Sequence, residues 1–129
     1  MKQKKVIIDT SIWIEYFRGN SQNEGFIEKG LSEGSIYITG SIVSELLQGV
    51  KTQKEYDILS KCIEAIPFIN CEYKDWITAG SISLNLRKKG ITVPLTDIVI
   101  ASVAMRINAK IYTLDKHFER IDGIDLLKS

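Results

Sequence analysis

Lys5-Val6-Ile7-Ile8-Asp9-Thr10-Ser11 decides how the rest of the chain is read. A short β-branched run reads as a buried strand, and Asp-Thr-Ser after it stops the strand and opens a helix. The same grammar returns near the other end, where Ala109-Lys110-Ile111-Tyr112-Thr113-Leu114 closes on Asp115. Between these two segments strand-like and helix-like stretches alternate. Strands are expected over Lys5–Ile8, Ile36–Thr39, Phe68–Cys71, Lys110–Leu114 and Ile124–Leu127. Helices are expected over Ser11–Phe17 (capped by Thr10 or Ser11, stopped by Gly19-Asn20), Asn23–Leu31, Ser41–Val50, Thr52–Ile66, Tyr73–Lys89 and Asp97–Ile107, with a helical turn at Lys116–Arg120. Pro67 and Gly90 punctuate the pattern. Asp97–Ile107 is apolar nearly all round, as a buried central helix would be. Strands separated by helices imply an α/β fold in which a parallel sheet lies between two helical layers. In such sheets a ligand site forms beyond the carboxyl ends of the strands.

Bulk properties set wider limits. At 129 residues the chain is read as one domain spanning 1–129. Seventeen Lys and Arg against sixteen Asp and Glu leave a net charge of +1, so no global field advertises nucleic acid. Two cysteines, Cys62 and Cys71, are too few for a disulfide framework or a zinc site and are expected as buried thiols. No apolar run is long enough to span a membrane, and the lysine-rich start leads straight into a strand, so a cytoplasmic location is expected.

The chemistry lies in four acids: Asp9, Glu45, Asp97 and Asp115. Each alone has an ordinary explanation. Asp9 and Asp115 can cap the helical segments after them, Asp97 suits a helix N-terminus, and Glu45 can sit on a solvated helix face. Together they are harder to explain away. Acids gathered at strand ends and on a buried helix repel one another unless a cation neutralises them. Hard oxygen ligands suit Mg²⁺ or Mn²⁺, whose bound waters supply a nucleophile for phosphodiester hydrolysis. If the first and fourth strands are neighbours, Asp9 and Asp115 share one crevice.

Other chemistries fit less well. Gly25-Phe26-Ile27-Glu28-Lys29-Gly30 is followed by Leu31-Ser32 rather than the Lys-Ser/Thr of a P-loop. Ser11 stands where an aspartyl-phosphate phosphatase would carry its second acid. A serine or cysteine triad would depend on the lone His117, whose place beside Asp115 better suits a surface turn or a phosphate contact. Arg87-Lys88-Lys89 and Lys116, His117 and Arg120 can form a basic rim that holds phosphates clear of the acids. Trp13, Tyr16 and Phe17 on the first helix read as core, or as an interface for a second copy or a segment of a partner protein.

Asp9-Thr10-Ser11, Glu45 in the helix after the second strand, Thr96-Asp97-Ile98-Val99-Ile100-Ala101 and Thr113-Leu114-Asp115-Lys116-His117-Phe118 resemble, in order and along essentially the whole chain, the motifs of PIN-domain ribonucleases. The small size and the segment Asp9–Gly19 resemble the VapC toxins of type II toxin–antitoxin pairs. This resemblance implies a sheet ordered 3-2-1-4-5. It implies that Asp9, Glu45, Asp97 and Asp115 bind one or two Mg²⁺ or Mn²⁺ ions and activate water for RNA cleavage. Thr113 would orient a water or support the metal shell, Thr10 or Ser11 would steady Asp9, and Phe118 would anchor packing. The partners it implies are an RNA substrate, a cognate antitoxin and a second copy in a homodimer. The alternatives are a PIN ribonuclease of RNA processing without an antitoxin, and a catalytically silent RNA-binding domain. The chain departs from the family pattern at Thr96 and at Ser102, and neither departure removes a ligand.

Overall fold

The computed structural model describes residues 4–19 and 22–127, and Asn20 of the expected first helix stop lies outside them. Among the described residues four parallel strands form the sheet, in the order β2-β1-β3-β4: β1 (Val6–Ile8), β2 (Ile36–Tyr37), β3 (Lys110–Tyr112) and β4 (Asp125–Leu127). β1 is central. Val6, Ile7 and Ile8 are opposite Lys110, Ile111 and Tyr112, and Val6 and Ile7 are also opposite Ile36 and Tyr37. All three β1 residues are buried, which requires cover on both faces because alternate side chains point opposite ways.

Among the described residues the cover comes from six helices: α1 (Thr10–Phe17), α2 (Glu24–Glu33), α3 (Gly40–Gln48), α4 (Gln53–Glu64), α5 (Tyr73–Lys88) and α6 (Leu95–Arg106). α1 packs on α3 and α3 on α4, while α5 packs along α6. Ile98 to Ala104 are buried without a break, so α6 is the expected central helix, entered two residues before Asp97 through Pro94. Fully buried Ile7, Ile36, Ile38, Ile98, Ile100 and Ile111 join Trp13 and Phe118 in the core. Each such aliphatic side chain contributes roughly 1.5–3 kcal/mol of burial. Gly30 marks where α2 meets the sheet: a Cβ there would stand 2.5 Å from Ile36 Cδ1.

Two expectations need amendment. The strand Phe68–Cys71 is reduced to a single parallel bridge between Phe68 and Ile38. It occupies the expected edge position beside β2, so the order 3-2-1-4-5 is kept with its first member cut to one residue. The ladder stops because the Asn70 carbonyl accepts from Arg106 Nη2 at 2.7 Å, and the chain enters α5 three residues later. The two cysteines are free thiols, but Cys62 is exposed and Cys71 half-buried. Cys62 lies beside the core stripe of α4, which runs through Leu59 and Ile63, and Cys71 sits in the edge loop before α5. Among the described residues no helix is long and apolar enough to cross a membrane.

Candidate active site

β1 and β3 end side by side, and both lead into polar residues. The Asp9 amide donates to the Tyr112 carbonyl at 2.9 Å, which pins the first acid against the end of β3. Asp9 then serves as the N-terminal boundary residue of α1 without capping it through its side chain. The carboxylate is engaged elsewhere: its Oδ2 accepts from Thr113 Oγ1 at 2.8 Å and from Ser11 Oγ at 3.2 Å. Each hydroxyl is itself held by a backbone amide. Asp115 N–H donates to Thr113 Oγ1 at 2.9 Å, and Leu114 N–H donates to Ser11 Oγ at 3.2 Å. These bonds explain why β3 stops at Tyr112 rather than Leu114. The next two residues spend their polar groups on the crevice instead of the ladder.

Asp115 opens a 3-10 turn (Lys116–Arg120) and accepts from the His117 amide at 2.9 Å, the capping role its position suggested. It also faces the crevice. The His117 ring Nδ1 lies 3.0 Å from Asp115 Oδ1 and 3.5 Å from Asp97 Oδ2. Asp97 sits in the first turn of α6, where the helix dipole favours a negative charge. Its carboxyl is nevertheless pushed up to about 6, by burial first and then by the charges of Asp115, Asp9 and Glu45, with His117 acting in the opposite direction. Asp97 therefore feels each of the other three acids. Glu45, on α3, is raised by burial and by Asp9, and Thr10 Oγ1 donates to its Oε1 at 3.4 Å.

All four acids expected from the sequence thus meet at the carboxyl end of the sheet, but not equally closely. Among the described residues, Asp97, Asp115 and His117 offer one ligand atom each within 4.8 Å of one another. Asp9 borders this group and Glu45 lies beyond Asp9. Ser11, not Thr10, touches Asp9, whereas Thr10 reaches Glu45. Thr113 contacts Asp9 directly. Phe118 is fully buried, as a packing anchor should be. The sequence places His117 beside Asp115, and the fold also brings its ring to Asp97.

Of the two basic segments, only the second lines a cavity beside the acids. Gly90, Ile91 and Thr92, just after Arg87-Lys88-Lys89, line one side of a cavity whose other side is Asp115, Lys116, His117 and Arg120.

The chain is thus a parallel α/β protein with an acidic crevice at the carboxyl ends of its two central strands, the place where such sheets bind ligands. The chain belongs to the PIN-domain family, whose model matches residues 6–124. It is 30% identical to Ribonuclease VapC11 of Mycobacterium tuberculosis, over 96% of each chain. It is 26% identical to Ribonuclease VapC1 of Methanocaldococcus jannaschii, over 97% of this chain and 87% of that one. Its fold superimposes on the DNA-bound VapBC of Salmonella typhimurium with a TM-score of 0.83 at 22% identity, covering 97% of this chain and 98% of the other.

Proposed function

We propose that this protein is a metal-dependent endoribonuclease that acts as the toxin of a toxin–antitoxin pair. The observation that carries the proposal is the convergence of Asp9, Asp97 and Asp115 on one crevice, with Asp97 held at a raised pKa by burial and its acidic neighbours. A pure RNA-binding surface gains nothing from gathering negative charge where phosphates must approach. The names of the relatives, ribonucleases of the VapC group, point the same way.

The donor set fits a hard divalent ion: carboxylate oxygens supply the charge, and Asp97, raised first by burial and then by its acidic neighbours, is a carboxylate that a cation would stabilise in its charged form. Asp9, Asp97 and Asp115 would hold the ion, with Glu45 joining from the Asp9 side. When bound, Mg²⁺ or Mn²⁺ lowers the pKa of a coordinated water and offsets charge on the scissile phosphate. Ser11 and Thr113 fix one oxygen of Asp9, leaving the other free to face the crevice. Lys116 and Arg120, across their cavity from Gly90, would hold flanking phosphates.

Cleavage of RNA is expected with Mg²⁺ or Mn²⁺ and is expected to disappear with a chelator. Asp115→Asn is expected to lower the rate by about 10³-fold, the scale of losing several kcal/mol of charge stabilisation. Cleavage that survives chelation at its full rate sinks the mechanism.

An antitoxin segment finds apolar cover between α1, α2 and α4, where Trp13, Tyr16, Phe17, Leu31 and Ile66 line one cavity. A second, lined by Ile14, Phe17, Leu46 and Leu59, ends on Glu45, so a segment bound there would reach the acids. Trp13 itself is core, but Phe17 and Ile14 are exposed.

A second copy would cover the outer face of α5. Tyr73, Trp76, Ile77 and Leu84 form an exposed stripe at helical spacing, opposite the buried Ala79 and Leu86 that face the core. The protein is expected to be a dimer by light scattering, and Trp76→Glu with Ile77→Glu is expected to yield a folded monomer. An unmodified chain that is already monomeric at micromolar concentration would rule this interface out.

A further inference from the structure

His117 is the only histidine in the chain, and its ring stands between two of the crevice acids. A surface histidine that merely caps a turn would need one carboxylate at most. Here the backbone amide of His117 already satisfies the cap to Asp115 at 2.9 Å. The ring adds a second approach, with Nδ1 at 3.0 Å from Asp115 Oδ1 and 3.5 Å from Asp97 Oδ2. The 3.0 Å separation matches that of adjacent ligands on a six-coordinate ion, about 3 Å for bonds of about 2.1 Å, and the 3.5 Å one is within a small side-chain adjustment of it. The three ligand atoms lie within 4.8 Å of one another, a span one ion can bridge.

We propose that His117 Nδ1 is a ligand of the divalent ion, shared with Asp97 and Asp115, and that this nitrogen biases the site toward Mn²⁺ over Mg²⁺. The inference rests on the metal-dependent function proposed for this crevice and goes beyond it by naming a nitrogen donor and the selectivity it confers. Mg²⁺ favours all-oxygen shells and dehydrates reluctantly, whereas imidazole is a good ligand for first-row transition ions. A site of carboxylates alone would discriminate weakly. One imidazole added to two carboxylates shifts the balance.

The test is electron paramagnetic resonance of the full chain, prepared without a histidine tag and titrated with Mn²⁺ alone. Bound Mn²⁺ is expected to show pulsed-EPR modulation from a directly coordinated imidazole nitrogen. With one histidine in the sequence, that signal can come only from residue 117. His117→Gln is expected to abolish the modulation, to weaken Mn²⁺ binding about tenfold, and to weaken Mg²⁺ binding much less, so that Mg²⁺ displaces Mn²⁺ more readily from the variant. Mn²⁺ bound without nitrogen modulation in the unmodified chain overturns the role of His117 and leaves the carboxylate site standing. No Mn²⁺ binding by the unmodified chain overturns the metal-dependent function itself. Because the decisive spectrum is taken on the unmodified chain, a folding defect in the variant cannot imitate a negative result.

Discussion

Asp97→Asn is expected to abolish metal-dependent RNA cleavage, by about 10³-fold or more, and at the same time to raise the melting temperature of the metal-free protein. The opposed signs follow from one cause. The Asp97 carboxyl is lifted from 3.8 to about 6 by burial and by Asp115, Asp9 and Glu45, so the folded state holds its proton more tightly than the unfolded chain does. Below about pH 4 both states are protonated and the group contributes nothing to stability. As pH rises from about 4 to 6 the unfolded chain ionises first, and the folded state becomes steadily less favoured. Above about pH 6 the penalty is complete, on the order of 2 kcal/mol after allowing for the partly open rim. Asparagine carries no charge, so the gain from the substitution is expected to be small at pH 4, to grow between pH 4 and 6, and to be full at pH 8. It corresponds to a rise of roughly 7 °C in melting temperature. Saturating Mn²⁺ should reverse the ranking, because an ion that binds only the folded state stabilises the unmodified chain and has lost a ligand in the variant. Scanning calorimetry at pH 4 and pH 8, with and without Mn²⁺, checks all of these signs. A variant less stable than the parent at pH 8 without metal would show that Asp97 is a structural acid.

Much of the site is legible in the sequence because strand ends are the places where sequence speaks about position. Val6-Ile7-Ile8 before Asp9 and Lys110-Ile111-Tyr112 before Thr113-Leu114-Asp115 place two acids at the carboxyl end of a parallel sheet without further help. What is not legible depends on long-range partners. The strand expected at Phe68–Cys71 loses its ladder to Arg106, thirty-six residues away from Asn70, which no local pattern announces. Helix α5 carries apolar residues on both faces, so periodicity cannot say that Trp76 and Ile77 point out while Ala79 and Leu86 point in. The expected burial of the cysteines follows a general preference of the residue type, and the stripe of α4 through Ile63 overrides it for Cys62. His117 reaches Asp97 across twenty positions of sequence, so only the fold could bring its ring to a second carboxylate.

Asp75→Ala is expected to have the opposite profile from Asp97→Asn, with a large loss of stability and little change in chemistry. Asp75 is 2% exposed, more deeply buried than any of the four crevice acids, yet it is fully partnered. Arg106 Nε lies 2.9 Å from both of its oxygens, and the Glu72 amide donates to its Oδ2 at 2.8 Å. The same guanidinium reaches the Asn70 carbonyl at 2.7 Å and Glu72 at 3.5 Å, tying the start of α5 to the end of α6. Removing the acid leaves a mostly buried cation facing an emptied socket, a defect that costs about 3–5 kcal/mol. For a chain of this size that is a drop of roughly 10–20 °C in melting temperature. Replacing both partners together, Asp75→Leu with Arg106→Met, is expected to restore most of the loss, since neither charge is then stranded. Asp97 lies nine residues from Arg106, roughly 14 Å along the helix axis, at the opposite end of α6. Below its melting temperature the Asp75→Ala protein is therefore expected to cleave RNA within a few-fold of the parent rate. If cleavage falls about 10³-fold at a temperature where the fold is intact, the clamp does more than hold two helices together. Burial alone does not separate the two acids. Asp75 has a cation of its own and serves the fold, whereas Asp97 is set among carboxylates, with only the His117 ring opposing them, and is left to attract a cation from outside.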